Sequence, residues 1–407
     1  MHPDSKYLIQ GAVYRGDSRA LQVALGRVYG TEERPRCLCV EAGVEMYVAK
    51  HARFVIKRMP ETGPDHHVAC GSFEVPASDS GLGELLGEAI VERAPDLLAV
   101  RLDFPLSHLL SASPRGAPPE SSPSVSAARK RLSIRALLHL LWERAGFNRW
   151  SPKMEGKRTW YVIRKYLLEA AAEIEVNGAR LDTLLFVPEP YRPEEAEALR
   201  ARRAAFFEGL VSDYGPERQP LALVVGEVKD LSERAGVSGL TIKHMPDCAL
   251  SLDGATARHV LRRFEGERLL KAQQPNVRLV VASTVQISPV EGLHVDTLTL
   301  MTVTPEWIPF DHPLELALLS TLVREKRRFM KPLRYDAARS SAFADVLLLD
   351  LGSRPVPLDV VLPSEDRHRR QAKEAAIAAR DTRGWVWRPE ESFTMPPLPH
   401  ANVIAGR

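Results

Sequence analysis

A chain of 407 residues, 44% hydrophobic, is long enough for several domains that each bury a core. Charges of both signs are mixed and sum to only +3, so whole-chain charge does not select nucleic acid as a partner, although a local patch can. Four cysteines, three of them clustered, exclude a disulfide scaffold and fit a reducing compartment. With no basic-then-apolar leader and no apolar run of about 18 residues, the expectation is a cytoplasmic protein without a membrane span.

Residues 5–14 alternate apolar and polar side chains like a strand, and SRALQVALGRVYG reads as a short helix stopped at Gly30. VEMYVAKH and RFVIKRM alternate with period two as a pair of strands; LGELLGEAIVER reads as a helix and LLAVRLDFPLS as a strand. Residues 111–128, SASPRGAPPESSPSVSAA, have no apolar face and mark a linker. Helices follow at SIRALLHLLWERAGF and RTWYVIRKYLLEAAAEIEV, a strand at LDTLLFVP, and a charged helix at EEAEALRARRAAFFEGLVSDYG. Next come strands LALVVGEVKDL and GLTIKHM, a helix ATARHVLRRFEGERLLKA, and strands VRLVVASTV and HVDTLTLMTVT. The tail reads helix (LELALLSTLVREKRR), three strands (FMKPLRYD, AFADVLLLDL, PVPLDVVLP), helix (SEDRHRRQAKEAAIAARD) and strand (WVWRP).

The expected architecture is an α+β multidomain chain. It has a small zinc-stabilised α/β domain at 1–110, a Ser/Pro linker at 111–130, a helical basic and aromatic region at 131–215, an α+β domain at 216–311 and an αβββαβ unit at 312–407.

The stretch from Cys37 to Cys70 carries the clearest chemistry. Zinc takes four soft or borderline ligands from two short, rigid loops. Cys37 and Cys39 form one pair; Cys70, preceded by His66 (H-x3-C) or His67 (H-x2-C), forms the other, with Gly63 and Pro64 turning the chain between them. Three thiolates in reach favour a closed structural zinc site over an open catalytic one. Cys248, alone in HMPDCALSL, reads as a core residue.

The runs RCLCVEAGVEMYVAK, KRMPETGPDHHVACGSFE, WERAGFNRWSPKMEGKRTWYVIRKYL and TVTPEWIPF together resemble a bacterial family known only by a domain-of-unknown-function number, DUF1173. The resemblance covers nearly the whole chain. It implies a setting on integrative and conjugative elements and genomic islands, with protein partners from the same element, and it implies His66 rather than His67 as the ligand. It implies no activity.

From Arg129 to Lys165 there are eleven Lys and Arg against Glu143 and Glu155, interleaved with Trp142, Phe147, Trp150, Trp160 and Tyr161. Cations supply phosphate contacts and planar rings supply stacking, so Arg149, Lys153, Lys157 and Arg158 are the expected contacts to DNA or RNA, while Trp142 and Trp160 fit apolar faces and are expected in the core.

The tail's element order is similar to that of the PD-(D/E)xK nucleases, whose sites hold Mg²⁺ between carboxylates on adjacent strands and use a lysine to orient water or neutralise charge. The resemblance places Asp345 and Asp359 as the two carboxylates, fourteen residues apart, and Glu315 as the accessory acid. Val361 stands where the motif's lysine belongs, and Lys373 on the next helix is the relocated candidate. A rival E-x-K, Glu227 and Lys229, shares one face of an expected strand. No P-loop and no nucleophile elbow is present. The readings in order are a zinc-containing, non-catalytic nucleic-acid-associated protein, a Mg²⁺-dependent nuclease, and a protein-interaction scaffold.

Overall fold

The computed structural model describes residues 5–400 apart from 17, 51–52, 95–96, 110–129, 215–217, 235–236, 289–291, 364–365 and 381–383. The expected linker therefore lies almost wholly outside the described residues. Eight helices and four sheets of mixed order are found among them, and no described helix is long and apolar enough to cross a membrane.

The N-terminal sheet is antiparallel, in the order Ala12–Arg15, Lys6–Ile9, Arg36–Cys37, Val44–Lys50, Phe54–Arg58. The expected single strand at 5–14 is a hairpin, because Gln10 and Gly11 both take positive φ (50° and 74°), the geometry of a tight two-residue turn. The helix Arg19–Val28 starts at Ser18, whose Oγ accepts from the Leu21 N–H. It buries Leu21, Leu25 and Val28 against Tyr7, Ile9, Met46 and Cys37.

LGELLGEAIVER is not a helix. A 3-10 turn at Gly81–Glu84 gives way, after Gly87 at φ +77°, to the strand Ile90–Ala94. Gly81 fits only as glycine, since a Cβ there would lie 2.1 Å from the Arg334 carbonyl oxygen. Ile90–Ala94 pairs with Leu97–Val100, which runs parallel to Ile174–Val176, so this four-stranded sheet joins segments from both sides of the expected linker. Segments from either side of the expected linker thus share one sheet. The helix expected across 158–176 stops at Ala171 for the same reason: Ile174–Val176 is captured by that sheet.

The middle of the chain closes a ring of five strands: β1 (Arg218–Arg234), β2 (Val237–Ile242), β3 (Met245–Leu252), β4 (Arg278–Ser288) and β5 (Gly292–Val303). Pairing runs β1–β2–β3–β5–β4 and back to β1, with β3 and β5 parallel and the other neighbours antiparallel. The long β1 serves both ends: its first half pairs with β4, and after an irregularity between Val228 and Asp230 its second half pairs with β2. The helices Gly254–Arg263 and Glu265–Gln273, broken at Phe264, connect β3 to β4. The helix Ile134–Arg144 is buried on nearly every face and packs against β4 and β5.

The tail follows the expected order: the helix Pro313–Arg324, β6 (Phe329–Met330), β7 (Val346–Leu348), β8 (Val356–Val360), the helix Arg367–Ala379 and β9 (Trp385–Trp387). The sheet runs β9–β8–β7–β6, with β8 and β9 parallel around the crossover helix, and Arg149–Trp150 adds a fifth strand beside β6. Val68 and Phe73, from the segment that carries the second half of the cysteine site, share a core with Met330, Ala344, Leu347 and Leu349 of this tail.

Candidate functional site

Cys37, Cys39, His66 and Cys70 converge, their ligand atoms all within 4.8 Å of one another. Cys37 ends the strand Arg36–Cys37 and Cys39 lies in the turn beyond it. A 3-10 turn, Gly63–Asp65, delivers His66, and Gly63 is packed so closely on Glu74 that a Cβ would not fit. The separations are Cys37 Sγ to Cys70 Sγ 3.8 Å, Cys39 Sγ to His66 Nδ1 3.2 Å and Cys70 Sγ to His66 Nδ1 3.8 Å. A tetrahedron with bonds of about 2.3 Å to sulfur and about 2.0–2.1 Å to nitrogen has edges of about 3.8 Å (S–S) and about 3.5 Å (S–N). The group therefore has the dimensions, ligand types and burial to hold a metal ion. Backbone N–H groups of His67 and Ser72 donate to Cys39 Sγ and Cys70 Sγ, both at 3.4 Å, which favours thiolates. His67 turns away, its Nδ1 accepting from the Ala69 N–H at 3.1 Å. The hydrogen bond between Cys37 and Cys70, together with burial, pushes the Cys37 thiol up, while the same bond holds the Cys70 thiol down. Three thiolates this close repel one another, so holding all three requires a cation.

The C-terminal acids converge too, but with an excess of partners. Lys373 Nζ lies 3.1 Å from Asp345 Oδ2 and 2.7 Å from Asp359 Oδ1, the latter off the hydrogen-bonding direction and so a contact of charge. Arg334 bridges Asp345 (2.7 Å) and Glu315 (2.6 Å), Lys331 meets Glu315 at 2.8 Å, and Arg380 closes on Asp359. Asp345 Oδ2 also accepts from the Val360 N–H at 2.8 Å, tying β7 to β8. Glu315, Asp345, Asp359 and Lys373 are 1, 2, 0 and 3% exposed. Three buried carboxylates thus face four cations, whereas Mg²⁺ needs surplus negative charge and keeps several waters.

The basic stretch divides. Arg158 points inward, its guanidinium donating to the carbonyls of Gly146, Phe147, Arg149 and Glu306, and burial presses its pKa down to about 10. It is not displayed to a phosphate. Replacing it with Met should cost about 3 kcal/mol, by leaving several buried carbonyls unpaired, in a denaturant melt. Trp142, Trp150 and Trp160 are core residues, not stacking platforms: Trp142 Nε1 donates to the Trp307 carbonyl (2.9 Å) and Trp160 Nε1 to that of Pro188 (2.7 Å). Lys153 and Lys157 are exposed. Arg149 donates to the Phe73 carbonyl and pairs with Glu74 at 3.1 Å.

The rival E-x-K does not assemble. Glu227 is buried and bound by Lys243 (3.2 Å) and Arg278 (3.0 Å), while Lys229 is exposed. Cys248 lies half-buried on β3, packed against the main core.

Among protein families, a model described as "Protein of unknown function (DUF1173)" matches residues 7–390. No curated protein and no solved structure matches the chain.

Proposed function

We propose, for a chain that belongs to the DUF1173 family and takes no activity from it, a zinc-containing, non-catalytic nucleic-acid-associated protein of a bacterial mobile element, acting in the cytoplasm. The observation that carries the reading is the five-strand ring. Its order β1–β2–β3–β5–β4–β1, parallel β3 and β5, and helical connection from β3 to β4 are those of the OB-fold, a barrel that recurrently holds oligonucleotides or oligosaccharides. The tail adds an αβββαβ unit of nuclease-like order. Fold alone does not assign function, so the chemistry of the site decides between binding and cleavage. With Glu315, Asp345 and Asp359 each bound to two cations, the tail is read as a scaffold. Zinc at the cysteine centre is read as a structural clip.

The expected result with labelled DNA and RNA is binding that weakens steeply with salt and no strand cleavage in Mg²⁺ or Mn²⁺. Absence of binding at low salt would remove the reading. The convergence of Lys373 on Asp345 and Asp359 favours a second one, a Mg²⁺-dependent nuclease. Plasmid nicking that needs Mg²⁺ and disappears in Asp359→Asn would establish it against the first.

A further inference from the structure

We infer that the groove between the cysteine centre and the C-terminal sheet is the phosphodiester-binding site of this chain, an inference that rests on the nucleic-acid reading above. The groove encloses about 680 Å³ and is lined by Lys6, Arg149, Lys153 and Arg328, with no acidic residue among the described lining. These cations come from four separate places: the strand Lys6–Ile9, the strand Arg149–Trp150, the 3-10 turn Pro152–Met154 and the residue before β6. A cavity this size, with cations on several walls, suits a run of phosphates better than one small anion.

Two features show that the charge is built in. Arg328 is half-buried, and its guanidinium donates to the carbonyls of Ala69 and Cys70, neutral partners that hold its direction, while Asp350 and the Cys70 sulfur act on it from further off. A desolvated guanidinium in that state is stabilised by an arriving anion. Arg149 shares Glu74, its one acid among the described residues, with Arg58, leaving two guanidinium groups to one carboxylate. The cysteine centre, whose cysteines also line the groove, would carry three thiolates against a dication, a single net negative charge.

The described outer face of β3 in the barrel offers less. On β3, Asp247 and Ala249 are exposed and Ser251 half-buried, none of them cationic, and Asp247 is occupied by Arg200 and Arg203.

The test is fluorescence anisotropy with an oligonucleotide of about 20 residues, single-stranded and duplex, over a salt series. Lys6 and Lys153 are exposed, so Lys6→Glu with Lys153→Glu should fold and keep its metal. The double reversal is expected to weaken binding at least tenfold at about 0.1 M salt and to lower the log–log salt slope by about 1.4 for single strands. Where reversal disturbs folding, the double alanine variant replaces it, with the same change in slope. Lys50→Glu, exposed but outside the groove, should stay within about twofold of the parent. Parent-like binding by the double variant, or an equal loss in Lys50→Glu, overturns the groove while leaving the nucleic-acid reading intact. No binding by the parent protein removes both. Inorganic phosphate that competes only as ionic strength supports a backbone site, whereas stoichiometric displacement by phosphate marks a small-anion pocket and overturns the assignment.

Discussion

Isolated without chelators, the protein should carry one equivalent of zinc, and Cys37→Ser, Cys39→Ser, His66→Ala and Cys70→Ser should each lose it while His67→Ala keeps it. The separation of the two histidines is geometric: His66 Nδ1 faces Cys39 and Cys70, and His67 Nδ1 is turned back on the Ala69 N–H. Structural zinc is worth on the order of 10–16 kcal/mol to a small domain, more than the five short strands of this sheet can replace. Removing it should melt the N-terminal unit as a separate, low-temperature transition. The effect should also reach the tail, because Arg328 grips the carbonyls of Ala69 and Cys70 and because Val68 and Phe73 pack against Leu347 and Leu349. The readouts are metal content by mass spectrometry and unfolding followed by near-ultraviolet dichroism. A zinc-free protein with one unchanged melting transition would show that the centre is not a clip.

The cysteine centre was legible because its ligands come in two local pairs, each a few residues long, and pair spacing is a sequence property. The tail's acids were legible for a related reason: strand–turn–strand order fixes which residues of β7 and β8 face each other, so Asp345 and Asp359 could be paired before their distance was known. What saturates them was not legible. Arg334 and Lys331 reach Glu315 from a loop and from the end of β6, and Arg380 approaches Asp359 from beyond the crossover helix, contacts that no period or spacing records. The barrel was hidden by one strand. β3 runs through HMPDCALSL, where Cys248, Leu250 and Leu252 do alternate with Asp247, Ala249 and Ser251, but Pro246 near its start and the shortness of the apolar set hide it, and without β3 the ring cannot be closed. The place of Arg158 was not legible because its guanidinium is taken up by the Glu306 carbonyl, 148 residues away, together with carbonyls of the preceding loop. The helix expected at LGELLGEAIVER failed where a positive-φ Gly87 met the β-branched pair Ile90 and Val91.

Lys373→Met should be among the most damaging single substitutions in the tail, at about 3–5 kcal/mol, because it leaves Asp345 and Asp359 charged, buried and short of a partner. Asp345→Asn should cost less than Lys373→Met: it keeps the side-chain oxygen that accepts from Val360 and leaves Lys373 with Asp359 and the Phe343 carbonyl. The pH dependence separates charge from packing. Burial pushes the Asp345 carboxyl up, but Lys373, Arg334, Lys331 and the Val360 N–H outweigh it and hold it at about 2, below its ordinary 3.8. A carboxyl depressed in the folded state contributes stability that is complete above pH 4 or so and is lost as the pH falls toward 2. Without Lys373 part of that depression goes, so the penalty should be greatest near neutrality and shrink as acid protonates Asp345. A double-mutant cycle of Lys373→Met with Asp345→Asn, melted in urea at several pH values, should then give a coupling of about 1–3 kcal/mol at pH 7 that fades below pH 4. A small, pH-independent cost for Lys373→Met would mean that the lysine only fills space. A coupling that persists in acid would mean that the two residues interact through packing, and the case for a charge-saturated scaffold would fall with it.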